Sequence, residues 1–145
     1  MSTRSAVITA LYGRVTGDPA IQAACGGPVR MAYHMAQPDT AFPYLVHRID
    51  GEVADPWDFE TGVWFLDLWD HATNRDRLLT IRELVIIRMD RLLLPVAIGA
   101  ATAYLGVRLI RDREGPTDAP DVFRVMTEWS LLVERSSEVA GILSR

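Results

Sequence analysis

Lysine is absent from this sequence of 145 residues, in which Lys and Arg together number 15. The all-arginine usage is typical of a GC-rich genome and assigns no function. Acidic residues number 19, so the formal net charge is −4. A protein that binds nucleic acid through its whole surface needs an excess of basic residues to neutralise phosphates. The charge balance therefore argues against general nucleic-acid binding.

Cysteine is nearly absent as well. Cys25 is the only one, which excludes an intrachain disulfide bond. Its neighbours in the segment AACGGP are small and uncharged, so the local sequence supplies no basic group that would activate the thiol. We predict a structural cysteine.

Long apolar runs are also missing. The N-terminal segment lacks the uninterrupted apolar core of a secretion signal, and the longest apolar stretch, around 92–106, is broken by Pro95 and Gly99. A membrane-spanning helix needs about 20 consecutive apolar residues. We therefore expect a protein that is not exported and does not enter a membrane.

Motifs that carry chemistry are absent too. The three histidines, His34, His47 and His71, are scattered, and no pair has the i, i+4 spacing of a helical zinc site. Asp67 and Asp70 are close in sequence, but on a strand they point to opposite faces. No phosphate-binding loop or nucleophile elbow is present. We expect no catalytic residue, no metal and no cofactor.

Two main helices are predicted from the spacing of apolar residues. Val7, Leu11 and Val15 recur at helical spacing in the first, which should end near 17–19 and precede a helical turn over 20–24. The second covers 74–94 and is expected to stop at Pro95. Its apolar stripe consists of Leu78, Ile81, Val85, Met89 and Leu92.

Five strands are predicted between and after these helices, at 29–35, 41–53, 58–71, 103–112 and 121–133. The last two are joined by a loop rich in turn residues, which favours an antiparallel hairpin. The pattern predicts an α+β protein with a mostly antiparallel sheet, two main helices packed on one face and a C-terminal β-hairpin. We expect one domain over 1–145, with 134–145 as a loose or helical tail.

The strand at 58–71 is apolar on both of its faces. Trp64, Leu66 and Leu68 alternate with Val63, Phe65 and Trp69, and helices on one side of a sheet can cover only one of these sets. A chain of this length has little material for another layer, so a second subunit is the economical cover. We expect the stripe of the second helix to cover Trp64, Leu66 and Leu68, so Val63, Phe65 and Trp69 are the predicted subunit interface. A single bulge would exchange the two faces.

A polar segment, DREGPTDAPD at 112–121, joins the last two predicted strands. It combines turn residues with a concentration of charge, so we expect it to be exposed and mobile in a free subunit. The predicted contact residues of this loop are Asp112, Arg113, Glu114, Asp118 and Asp121.

The order and spacing of these elements resemble the tail terminator, or tail completion, proteins of tailed bacteriophages and gene transfer agents. The resemblance runs from about residue 5 to 135. It is carried by SAVITALYGRVTGDPAIQAACGGPV, AFPYLVH, ETGVWFLDLWDH, NRDRLLTIRELVIIRMDRLLL and the hairpin from LGVRLIRDREG to FRVMTEWSLLVE. The segment LLLPVAIGAATA departs from the family pattern, in which a shorter strand and turn are expected.

The resemblance implies a structural, non-enzymatic protein that forms a ring, a hexamer, on the end of a growing tail tube. Such a ring stops tube polymerisation and provides the surface onto which the head docks. The implied partners are other copies of the chain, the major tail tube protein and a head-neck connector protein, while DNA passes through the lumen without specific binding. The implied location is the head-proximal end of the virion tail, after assembly in the bacterial cytoplasm.

Two other functions stay open. Another head-to-tail connector, such as a neck component, would share size and ring assembly. A small ligand-binding or enzymatic α+β domain would instead be a monomer with a deep pocket lined by His47, Asp67 or His71.

Overall fold

The computed structural model describes residues 3–51 and 61–135. Its helices are α1 (Thr3–Thr16), α2 (Pro19–Cys25) and α3 (Arg75–Met89), the last preceded by a 3₁₀ turn at Ala72–Asn74. Its strands are β1 (Met31–Tyr33), β2 (Tyr44–Asp50), β3 (Thr61–His71), β4 (Leu92–Ile98), β5 (Ala101–Glu114) and β6 (Val122–Arg135).

The strands form one six-stranded sheet in the order β1-β2-β3-β6-β5-β4. Only β1 and β2 run parallel among the described pairs; all the others are antiparallel. The predicted α+β class and the C-terminal hairpin are therefore confirmed.

The core lies between the helices and one face of this sheet. Trp64, Leu66 and Leu68 of β3 are fully buried, as is the α3 stripe that was predicted to cover them. The buried members of that stripe are Leu78, Ile81, Val85 and Met89. Period-2 alternation in the strand and helical spacing in α3 place both apolar sets on the same interface.

Local sequence signals account for the bounds of α2. The Asp18 carboxylate accepts hydrogen bonds from the backbone N–H groups of Ala20 (2.9 Å) and Ile21 (3.1 Å). Pro19 occupies the first helical position, where its missing N–H costs nothing. Gly26, at φ 80°, ends the helix in the left-handed conformation that glycine adopts without strain.

The first two strands are shorter than predicted. The range 29–35 contains only Met31–Tyr33, and 41–53 contains Tyr44–Asp50, which begins directly after Pro43. The end of the strand predicted at 41–53 and the start of the one predicted at 58–71 fall within residues 52–60, outside the described residues.

The prediction that α3 continues to Pro95 is wrong. The helix ends at Met89, Asp90 is extended, and Arg91 has a φ of 62°. Residues Leu92–Ile98 then form β4, with Pro95 paired to Tyr104. A leucine run satisfies a helical stripe and a strand equally well, and a proline is tolerated in β4 because this strand lies at the edge of the sheet.

The final hairpin is longer than predicted. Asp112, Arg113 and Glu114 belong to β5 rather than to the loop, because pairing with β6 continues as far as Glu114↔Val125. The loop itself is 115–121. Strand β6 also extends to Arg135, so the predicted tail cannot begin at 134, and residues 136–145 lie outside the described residues.

A β-bulge in β5 anchors the end of α3 to the sheet. The register between β5 and β6 shifts between Leu109 and Arg111, and the Leu109 N–H donates to the Asp90 carboxylate at 2.9 Å. The Asp90 side chain, directly after the helix, thus accepts a hydrogen bond from a backbone N–H next to the bulge.

Replacement of Trp64 by alanine should destabilise the folded chain by about 3–5 kcal/mol, because it leaves a large cavity beneath α3. Ile87→Ala is the matched control, since Ile87 is 71% exposed on the same helix, and it should change stability by about 0.5 kcal/mol or less. Urea unfolding of both variants measures the difference. Equal losses would show that Trp64 does not lie in the core.

Candidate assembly surface

The outer face of the sheet consists of the strand side chains that point away from the helices. Its central members are Tyr44, Val46 and Arg48 of β2, Val63, Phe65, Asp67 and Trp69 of β3, and Arg124, Met126 and Glu128 of β6. None of these is fully buried, in contrast to their neighbours on the helix side. In the described chain, the helices cover the inner face alone.

Arginine side chains lie over the aromatic rings of this outer face. The Arg48 guanidinium carbon lies 4.1 Å from the centre of the Phe65 ring, and that of Arg124 lies 4.7 Å from the Trp69 ring. Tyr44 stacks beside Trp69, with ring centres 6.0 Å apart. Such cation–π contacts hold the rings at the surface without fully burying them.

Hydrogen bonding within this cluster is incomplete. Arg124 forms an ion pair with Asp67, yet Asp67 Oδ1, Trp69 Nε1 and Arg124 Nε are buried without a hydrogen-bond partner in the described structure. An unpaired buried polar atom costs about 1–3 kcal/mol. Residues 3–51 and 61–135 therefore leave these three atoms short of partners.

Two shallow grooves flank Trp69. One, of about 350 Å³, lies between the loop 34–38 and the strand residues Phe65, Asp67 and Trp69. The other, of about 340 Å³, lies between Trp69 and the loop 115–121. Both grooves are continuous with the outer face, so a macromolecular partner could contact the face and the grooves together.

The predicted interface residues Val63, Phe65 and Trp69 all point to this outer face and are partly buried. The structure thus places them on one surface, and their role in subunit contact stays a prediction. The sequence reasoning missed the residues that cover them, Tyr44 and Arg124, because that neighbourhood depends on strand register. Alternation within β3 carries no such signal.

The predicted contact residues around the hairpin loop do not form one group. Asp112 forms an ion pair with Arg82 at 3.0 Å, and Glu114 forms one with Arg75, so both carboxylates bind α3 on the helix side. Arg113 lies in β5 and is exposed. Asp118 and Asp121 are exposed in the loop, as predicted. Whether they make contacts in an assembly stays a prediction.

Asp67 and Asp70 point to opposite faces of β3, as predicted. Asp70 is fully buried on the helix side and accepts two hydrogen bonds from Arg77, at 2.7 and 2.8 Å, and one from the His71 N–H. Hydrogen bonding to Asp70 raises the pKa of Arg77. This bidentate pair joins the end of β3 to the start of α3.

Two of the residues named for a ligand pocket, His47 and Asp67, border the groove of about 350 Å³, but the three side chains do not share one site. His47 is buried on the helix side of β2, whereas Asp67 lies on the outer face and His71 is exposed. Trp64 Nε1–H donates to His47 Nδ1 at 3.1 Å, so the neutral imidazole acts as an acceptor there. Burial, with a smaller contribution from His34, lowers the pKa of His47 to about 4.

Cys25 is buried at the end of α2, and burial raises the pKa of its thiol. This agrees with the predicted structural role. Within residues 3–51 and 61–135 there is no group of three His, Cys, Asp or Glu side chains that could hold a metal ion. None of the helices in these ranges is long and apolar enough to cross a membrane.

The chain matches no protein-family model and no curated protein sequence. Its structure is similar to a chain of the virion of a native gene transfer agent particle. The TM-score is 0.70 at 13% sequence identity, over 90% of this chain and 96% of the other. The two chains share a fold.

A second solved structure is similar as well, with a TM-score of 0.59 at 13% identity over 91% of this chain and 96% of that one. In both comparisons nearly the whole of each chain is aligned. The likeness therefore extends over most of the fold.

The stability of the chain should fall between pH 6.5 and 4 because of His47. The unfolded state takes up a proton below pH 6.5, whereas the folded state excludes it until about pH 4. The contribution, about 3 kcal/mol, is present above pH 6.5 and is lost as the pH falls to 4. His47→Asn keeps an acceptor near Trp64 and removes this titration.

Urea unfolding of both proteins at pH 7, 5.5 and 4 measures this effect. Carboxylates titrate in both proteins, so the quantity of interest is the difference between them. An identical pH dependence in the wild type and the variant would contradict a buried neutral imidazole.

Proposed function

We propose that this chain is a tail terminator of a tailed bacteriophage or gene transfer agent. In this role it assembles into a ring, a hexamer, on the head-proximal end of the tail tube. The ring stops polymerisation of the tube protein and provides the surface to which a head-neck connector binds, while DNA passes through its lumen.

The shared fold supports a structural role in a virion. The similar chain belongs to a gene transfer agent particle, and the alignment leaves little of either chain unmatched. The order of sequence elements resembles tail terminators independently of this comparison. Such a role requires repeated contact between copies and no catalytic residue.

The outer face is the observation that carries the proposal. Phe65 and Trp69 are held at the surface under Arg48 and Arg124, and three polar atoms in the same cluster have no hydrogen-bond partner among the described residues. A neighbouring subunit would bury these rings and supply hydrogen bonds in one contact. Interfaces are enriched in aromatic residues and arginine, the residue types that meet here.

Gel filtration coupled to light scattering, with and without isolated tail tubes, tests the proposal. A ring that forms alone or on tubes is the expected result. A protein that stays monomeric at high concentration and does not bind tail tubes would overturn the proposal. Binding to the portal side in place of the tube would instead identify a neck component, and a bound small molecule a ligand-binding domain.

Phe65→Ser should prevent assembly and leave the protomer folded. The Phe65 side chain is only partly buried in one chain, so its loss should shift the melting temperature by a few degrees at most. The assembled state, in contrast, loses a buried aromatic contact. Ile87→Ser is the control, because it makes a comparable change on the exposed side of α3. Unfolding of the protomer by Phe65→Ser would show that the Phe65 side chain belongs to the core.

A further inference from the structure

A second apolar surface lies at the other end of the outer face. Leu93 of β4, Gly106 of β5 and Leu132 of β6 are direct cross-strand partners and form one row. Leu93 is 50% exposed and Leu132 is 45% exposed. The missing side chain of the glycine between them makes a notch, part of a groove of about 570 Å³ whose lining includes Arg91 and Arg108.

Nothing within the described part of the chain requires glycine at position 106. Its φ lies outside the left-handed range, and an added Cβ would meet only the Leu132 carbonyl oxygen, at an ordinary 3.7 Å. A glycine inside a strand weakens it and often marks the close approach of another group. The absent side chain therefore leaves space for something outside the protomer.

Arg91 departs from the usual backbone preference of its residue type. Its φ of 62° is a conformation that favours glycine, yet the residue carries a long charged side chain and lines the same groove. The notch thus has a glycine where a side chain would fit and an arginine where glycine would be unstrained. Two departures from local preference at one surface are typical of a functional site.

The charge of this groove is unbalanced. Neither Arg91 nor Arg108 forms an ion pair with a residue in the described ranges, and no acidic residue lines the groove. The loop 115–121 has the opposite property. Its Asp118 and Asp121 are exposed and likewise form no ion pair with described residues.

The loop cannot reach the notch of its own chain. Gly106 lies eight residues before Glu114, where the loop begins, and a strand rises about 3.3 Å per residue, so the two surfaces are roughly 25 Å apart. Opposite charges at opposite ends of one hairpin suit contact between two copies. Because the two surfaces differ, such a contact is head-to-tail, the kind that can close into a ring.

We propose that the loop 115–121 of one copy binds in the notch of the next, with Asp118 and Asp121 facing Arg91 and Arg108. This inference rests on the proposed ring function, since it assigns a contact within that ring. The prolines and alanine of the loop would lie between the two leucines, over the glycine.

Gly106→Leu tests the notch by filling it. The variant should fold, because its side chain points outward, and its assembly should weaken at least tenfold. Gly13→Leu is the matched control, since Gly13 is an exposed glycine with open space around it on α1; it should assemble like the wild type. Assembly of Gly106→Leu at the wild-type concentration would overturn the proposal.

Charge reversal tests the partner. The variants R91E/R108E and D118R/D121R should each fail to assemble, because each sets like charges against each other across every contact. An equimolar mixture should assemble, since each contact then joins opposite charges in an alternating ring. Amide exchange in the loop should be slower in this assembly than in either variant alone.

The outcomes separate this contact from the ring itself. If the wild type never assembles, the proposed function fails first. The proposed contact is wrong if the wild type assembles and D118R/D121R assembles equally well. It is also wrong if the wild type assembles and the mixture stays monomeric. In both cases the proposed ring function still stands. The charge variants also cover the case in which Gly106→Leu fails to fold.

Discussion

Burial on a single face of the sheet is the constraint on which the rest of the structure depends. Trp64 and Trp129 are cross-strand partners, with ring centres 5.6 Å apart, and both are fully buried beneath the helices. The inward-pointing strand residues pack with these two tryptophans into the core between the sheet and the helices. Every residue that points outward is consequently left to solvent, to arginine side chains or to a partner.

The sequence predicted the elements in which one periodicity dominates. Helical spacing in α3 predicted its buried stripe, and alternation in β3 separated two faces, but both faces are apolar and the structure was needed to identify that of Trp64 as core. The run around Leu93 fits two structures, and the choice of β4 depends on β5 as a partner. The outer face was predicted as apolar, but its covering by Arg48 was not, because that contact follows from the register of β2 against β3.

The outer face has the properties of a surface that must exist both free and bound. Arginine stems over Phe65 and Trp69 reduce the apolar area that a free subunit presents to water, while their charged ends remain hydrated. A partner can displace or share these guanidinium groups without refolding the sheet. This arrangement keeps aromatic rings at the surface while it limits the apolar area exposed to water.

The proline in β4 disfavours the addition of another strand at that edge of the sheet. Strand addition at a free sheet edge has no natural end, because each added chain exposes a new edge. Pro95 offers no N–H to an incoming strand, and the opposite edge, β1, is only three residues long. Both edges of the sheet are thus poor templates for the addition of a further strand.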